Sequence, residues 1–169
     1  MAVRYRCPGC GNLTRFGYDA QAYYVTSNLF GLNVGGFGGT GYRVFNKTPL
    51  LTGQPATYAT LRDAGSATVQ ATVHFGANPA PFFVSVATST SLKVQAITNP
   101  LTAPALVSIT VATPSHAGAV GSPTLGGSDV SNAGLTSACW RGGKMYVCHN
   151  ASISGRNVAR WHELNTGTW

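Results

Sequence analysis

The 169-residue chain is long enough for one domain with its own core and short for two. Only 9% of its residues are charged, against about a quarter in an average soluble domain, and Gly, Ala, Ser and Thr take their place. That composition excludes a helical bundle with Glu- and Lys-covered faces, and no run approaches the roughly twenty apolar residues of a membrane span.

The net charge of +7 comes from a shortage of acids (Asp19, Asp63, Asp129 and Glu163) rather than from a run of bases. Arg4 with Arg6 and Arg156 with Arg160 are the nearest basic neighbours. The sequence therefore points to no dedicated nucleic-acid site and leaves a general affinity for polyanions.

The chain opens on "MAVRYRCPGCGNLTRF". This stretch is basic but has no apolar segment, so it is not a signal peptide as it stands. Cys7 and Cys10 form a CxxC with Pro and Gly inside, the shape of a zinc knuckle. Two further ligands would be needed, and Cys148 with His149 are the pair that could complete a set, at no standard spacing. The alternative is an unpaired knuckle or a local disulfide.

After this start the text is β-branched and aromatic runs between Gly, Pro, Asn and Ser clusters, which reads as all-β. Strands are expected over 22–27, 42–46, 67–75, 81–87, 92–98, 106–112, 136–140, 144–150 and 158–164. The longest helix candidate, "TYATLRDAGSATV", is interrupted by Gly65. In "TVQATVHF" the alternation puts Val69, Ala71 and Val73 on one face and Gln70, Thr72 and His74 on the other. "GGFGGTG" (35–41) has neither Lys nor a helix after it and reads as a hairpin loop.

"ACWRGGKMYVCHN" reads as a hairpin on a Gly142–Gly143 turn, since both positions want positive φ. Arg141 then faces Lys144 and Cys139 faces Tyr146, with Cys148 diagonal to Cys139 on the same face. Cys139 and Cys148 are either buried thiols or a disulfide, and Trp140, Met145 and Val147 take the other face. His149 reads as an edge residue. No Gly-x-Ser-x-Gly elbow occurs, and Asp63 with Glu163 is the one carboxylate pair worth testing for glycoside hydrolysis.

Three segments repeat a layout about sixty residues apart, each an aromatic-Val strand, a polar turn and a second strand. They start at Tyr24-Val25, Phe83-Val84 and Tyr146-Val147. Residues 1–16 stand apart, and 17–169 divide into units of about 17–60, 67–112 and 134–169. Sheets repeated at this period suggest a β-propeller. Three blades do not close a ring, and the text stops at "NTGTW", a turn and the first residues of another strand, so the chain reads as a piece of something longer.

The same residues resemble large secreted bacterial proteins of uncharacterised function, expected to form β-propellers distantly similar to sialidases. Gly17, Tyr18, Asp19, Tyr24, Asn28 and Phe30 fit one blade motif of that family. Gly143, Lys144, Tyr146, His149, Arg160, Trp161 and Glu163 fit the other. The resemblance implies an extracellular, partial-propeller fold of about three blade units, with no catalytic residues to carry over. "ELNTGTW" departs from the sialidase Asp box at Asn165.

The expected function is a non-catalytic structural or binding module with no cofactor. Its partners would be its own remaining blades, other copies of the chain, or a glycan or polyanion. A self-assembling virion or filament subunit is the alternative that low charge favours, and part of a glycosidase-like propeller enzyme is the second.

Overall fold

The computed structural model describes residues 14–30, 36–115, 117–118, 135–154 and 156–167. The strands are β1 (Arg15–Tyr18), β2 (Ala22–Phe30), β3 (Phe37–Asn46), β4 (Tyr58–Asp63), β5 (Gln70–Ala71), β6 (Val73–Phe75), β7 (Phe82–Thr88), β8 (Ser91–Thr98), β9 (Ala105–Ala112), β10 (Ala117–Gly118), β11 (Leu135–Arg141), β12 (Lys144–Ile153) and β13 (Arg156–Asn165). One turn of helix, α1 (Lys47–Leu51), follows β3, and the Asn46 side chain caps it by accepting from the Thr48 amide.

The strands form two sheets. The larger has nine, in the order β10-β12-β11-β6-β1-β2-β3-β4 with β13 on β12, and the smaller runs β5-β7-β8-β9. Most pairings are antiparallel, but β6 runs parallel to both β1 and β11.

This topology overturns the propeller expectation. Each propeller blade is its own sheet, whereas here strands from all three sequence units share one sheet: β1–β4 from the first, β6 from the second, β11–β13 from the third. The repeated hairpins β2–β3, β7–β8 and β12–β13 do form, but two lie in the large sheet and one in the small. The sheets are neither closed nor curled as blades would be. The virion- or filament-subunit reading and the propeller-enzyme reading find no support in this arrangement either.

The segment expected as one strand, 67–75, is broken at Thr72, so β5 joins the small sheet and β6 the large one. Its two faces are not one buried and one wet. Val69, Ala71, Gln70, Thr72 and His74 are all buried. Gly17 permits the crossing, because a Cβ there would sit 2.5 Å from the Thr72 carbonyl oxygen.

The core lies on both sides of β7 and β8. Phe82, Val84, Leu92 and Val94 pack with Leu135, Ala138, Trp140, Met145, Val147 and Leu164. The alternate residues Phe83 and Ile97 pack with Ala22, Tyr24, Tyr42 and Val44. A strand buried on both faces loses its polar alternation, which is why "PFFVSV" reads as a continuous apolar run.

Candidate functional site

The hairpin that attracted attention in the sequence forms on the expected register. Gly142 and Gly143 have φ of 58° and 81°, Arg141 faces Lys144, and Cys139 faces Tyr146. Cys148 faces Ser137, so the two cysteines are diagonal neighbours on one face, half-buried and not joined by a disulfide. Trp140, Met145 and Val147 fill the core face as expected, and the indole N–H of Trp140 donates to Thr166 Oγ1 at 2.8 Å.

His149 is not an edge residue. It follows Cys148 in a regular strand, so its side chain leaves from the opposite, core face, where it is 2% exposed. Cys148 and His149 therefore point away from one another, a poor start for the zinc set proposed with Cys7 and Cys10, which lie outside the described residues. Among the described residues no three of His, Cys, Asp and Glu gather around one point.

What His149 does meet is His162, with Nε2 to Nε2 at 3.1 Å and ring planes within 10°. The centroids are 5.3 Å apart. That exceeds the nitrogen separation by about two ring-centre-to-nitrogen distances, so the rings meet head-on in an N–H···N hydrogen bond. Two ligands converging on a metal would be angled. His149 Nδ1 lies 3.1 Å from the Asn150 carbonyl oxygen, which can only accept, so Nδ1 carries a proton there.

The described acids are engaged separately. Asp19 is buried in the β1–β2 turn, accepting from the Gln21 and Ala22 amides and from the Tyr24 hydroxyl at 2.8 Å. Burial, then the bond and charge of Asp19, push the Tyr24 hydroxyl well above its ordinary pKa and keep it a donor. The Gly17-Tyr18-Asp19…Tyr24 motif is thus a turn with its own polar lock. Asn28, from the same motif, accepts the Thr68 amide at 2.7 Å and holds Thr68 at φ 50°.

Asp63 lies between the sheets, bonded to Lys93 at 2.7 Å, Ser66 at 2.6 Å and Gln95 at 2.9 Å, and Gln95 in turn accepts from Tyr42. Glu163 pairs with Lys144 on the outer face at 2.5 Å. Each carboxylate of the pair singled out for glycoside hydrolysis is held by its own lysine, one between the sheets and the other outside.

A feature that sequence reading missed runs across the outer face of the large sheet. Residues paired directly across neighbouring strands share a face. The registers link Glu163 to Tyr146, Cys139, Val73, Tyr18, Tyr23, Phe45 and Tyr58 in one unbroken row from β13 to β4. Seven strand spacings make it about 34 Å long.

Phe16 stacks on Tyr23 beside the row, and Phe45 lies 5.5 Å from Tyr58. The Lys47 ammonium sits 4.7 Å and 4.6 Å from the centres of the Tyr18 and Tyr23 rings. Arg43, in register with Val25 and Thr60, and Arg141, in register with Phe75, add cations to the same face. Phe16, Tyr58, Phe75 and Trp161 are each more than half exposed. The signal was present as alternate aromatics in "RFGY", "AYYV", "RVFN" and "YAT", but the strand that joins the two ends, β6, could not be placed from the text.

No family model, curated protein or solved structure matches this chain, so the resemblance to sialidase-like propellers does not hold. Among the described residues no helix is long and apolar enough to cross a membrane.

Proposed function

We propose that this chain is a non-catalytic binding module whose outer sheet face holds an extended acidic glycan. The observation that carries the reading is the aromatic row flanked by cations. Aromatic faces stack against the C–H faces of sugar rings, and Arg43, Lys47 and Arg141 would meet carboxylate or sulfate groups along the same chain. The described acids do not compete, since Asp19 is buried, Asp63 is held between the sheets and Glu163 is taken by Lys144. The row's contiguous aromatic stretch, Tyr18, Tyr23, Phe45 and Tyr58, crosses four adjacent strands, about 14 Å, which suits more than one consecutive sugar.

Titration calorimetry of the chain against a heparin hexasaccharide, a neutral glucose hexasaccharide and a dT oligonucleotide tests this. The sulfated sugar should bind best and weaken with salt, and Tyr23→Ala and Arg43→Glu should each reduce its affinity about tenfold. Equal binding of the neutral sugar, preference for the oligonucleotide, or indifference to both substitutions would refute it.

A further inference from the structure

The glycine-rich run 35–41 reads in the sequence as a hairpin loop, but from Phe37 onward it lies inside β3. Gly41 is in register with Ser27 of β2 and Arg62 of β4, and Arg43 with Thr60. By strand alternation these residues share the outer face with Tyr23, Phe45 and Tyr58. Gly41 brings no side chain, so the face dips between β2 and β4. The hollow measures about 300 Å³, the lower end for small-molecule sites, and Ser27, Leu29, Arg43, Thr60 and Arg62 wall it.

Its cations are positioned and not neutralised. Arg62 is fixed by its Nε and Nη2 groups, which donate to the Gly38 carbonyl oxygen at 2.9 Å and 2.6 Å. Gly38 leaves room for this contact, since a Cβ there would meet Arg62 Nη2 at 3.3 Å. The other edge of the guanidinium, Nη1 with the second Nη2 hydrogen, still has donors to give. Among the described residues neither Arg62 nor Arg43 has an acidic partner. Asp63, next along β4, turns to the opposite face and is held by Lys93.

We propose that this hollow is an oxyanion seat that selects a sulfate ester of the glycan, an inference that rests on the outer face being a glycan-binding surface. A carboxylate is planar and is satisfied by one guanidinium fork. Here donors stand on three strands around one hollow: Arg62 and Thr60 on β4, Arg43 on β3 and Ser27 on β2. That enclosure suits a tetrahedral group whose free oxygens point in different directions. Gly41 lies along β3 from Phe45, about 14 Å from the aromatic row. A sugar chain leaving the row at Phe45 therefore passes Arg43 before its sulfate reaches the hollow.

Titration calorimetry of the full chain compares a heparin hexasaccharide with the same hexasaccharide stripped of sulfate, which keeps its carboxylates. The sulfated form should bind at least tenfold tighter. Arg62→Gln, and Gly41→Val, which puts methyl groups into the hollow, should each abolish that preference while circular dichroism shows the fold intact. Arg62→Lys keeps the charge but loses the fork, and should restore the preference only in part. Inorganic sulfate should move the amide NMR signals of Gly41 and Arg62 and leave those of the distant Gly142–Gly143 turn in place.

Equal binding of the two sugars, a preference that survives both substitutions, or full rescue by Arg62→Lys overturns the sulfate seat and leaves the aromatic row its glycan. Failure of both sugars to bind removes that reading as well. Signals at Gly41 and Arg62 that respond to inorganic phosphate but to no sulfated sugar would assign the hollow to free phosphate and also overturn the proposal.

Discussion

The backbone N–H of Phe82 donates to Nε2 of His74 at 3.1 Å, and this bond fastens the small sheet to the large one. His74 Nδ1 lies 3.4 Å from the Tyr18 carbonyl oxygen, so the ring is neutral with its proton on Nδ1. Protonating the ring would remove the acceptor that Phe82 uses. Burial lowers the pKa of His74 below 6.5, against a partial opposing pull from Asp19 and the Tyr18 and Thr72 backbone.

The unfolded chain therefore takes up this proton before the folded one does. The contribution of His74 to stability is full above pH 6.5 and is lost as pH falls below it. Urea midpoints between pH 8 and pH 5 should fall accordingly. His74→Leu should cost about 1–3 kcal/mol at pH 8 by stranding the Phe82 amide, and should flatten that part of the pH profile.

Asp63 gives the second pH dependence, at lower pH. Burial raises its pKa, but the hydrogen bonds from Lys93, Ser66 and the Gly65 amide, with the Lys93 charge, outweigh it and hold the carboxyl at about 2 rather than 3.8. A depressed acid stabilises the fold above its unfolded pKa and loses that contribution as pH falls through the folded value. The difference is worth roughly 2 kcal/mol above pH 4. Asp63→Asn should lower stability by about that amount at pH 7 and almost nothing at pH 2, read from guanidinium titrations.

The Gly142–Gly143 turn tests the hairpin. A Cβ at either position meets nothing within 4 Å, so any cost there is conformational. Gly143→Val, at φ 81°, should lose about 1–2 kcal/mol, whereas Gly142→Asn should stay within a few tenths. Thermal melts of the two variants separate the effects.

Phe82→Ala and Phe83→Ala probe the double-sided burial of β7. Phe82 belongs to the cluster with Trp140 and Leu164, while Phe83 packs edge-on against Tyr24 and Tyr42, at 5.6 Å and 5.4 Å. Each should cost about 3–5 kcal/mol. If one were silent, one face of the small sheet would not be a core face.

The strands themselves were readable because turn glycines and β-branched runs act locally. All nine segments expected as strands contain strand, and the glycine turn set the cysteine register correctly. What failed was assembly. β6 spans only Val73–Phe75, yet its parallel bonds to Tyr18 and Cys139 join the ends of the large sheet. Such long-range pairings leave no periodic trace in the text. Nor did the sequence reveal that His149 faces inward to His162, because both faces of β12 carry polar side chains. The outer aromatic row was invisible for the same reason as the sheet order.

The position of β6 also orders events in time. The meander β1–β4 can zip up from neighbouring strands as soon as it is made, and so can β12 with β13. The large sheet stays in two pieces until a three-residue stretch from mid-chain is clamped between them, and the Phe82–His74 bond ties that stretch to the small sheet. Closing such distant pairings is slow. Joining the two halves should therefore be the slow part of folding, and lesions at Val73 or His74 should slow it while the N-terminal meander still forms.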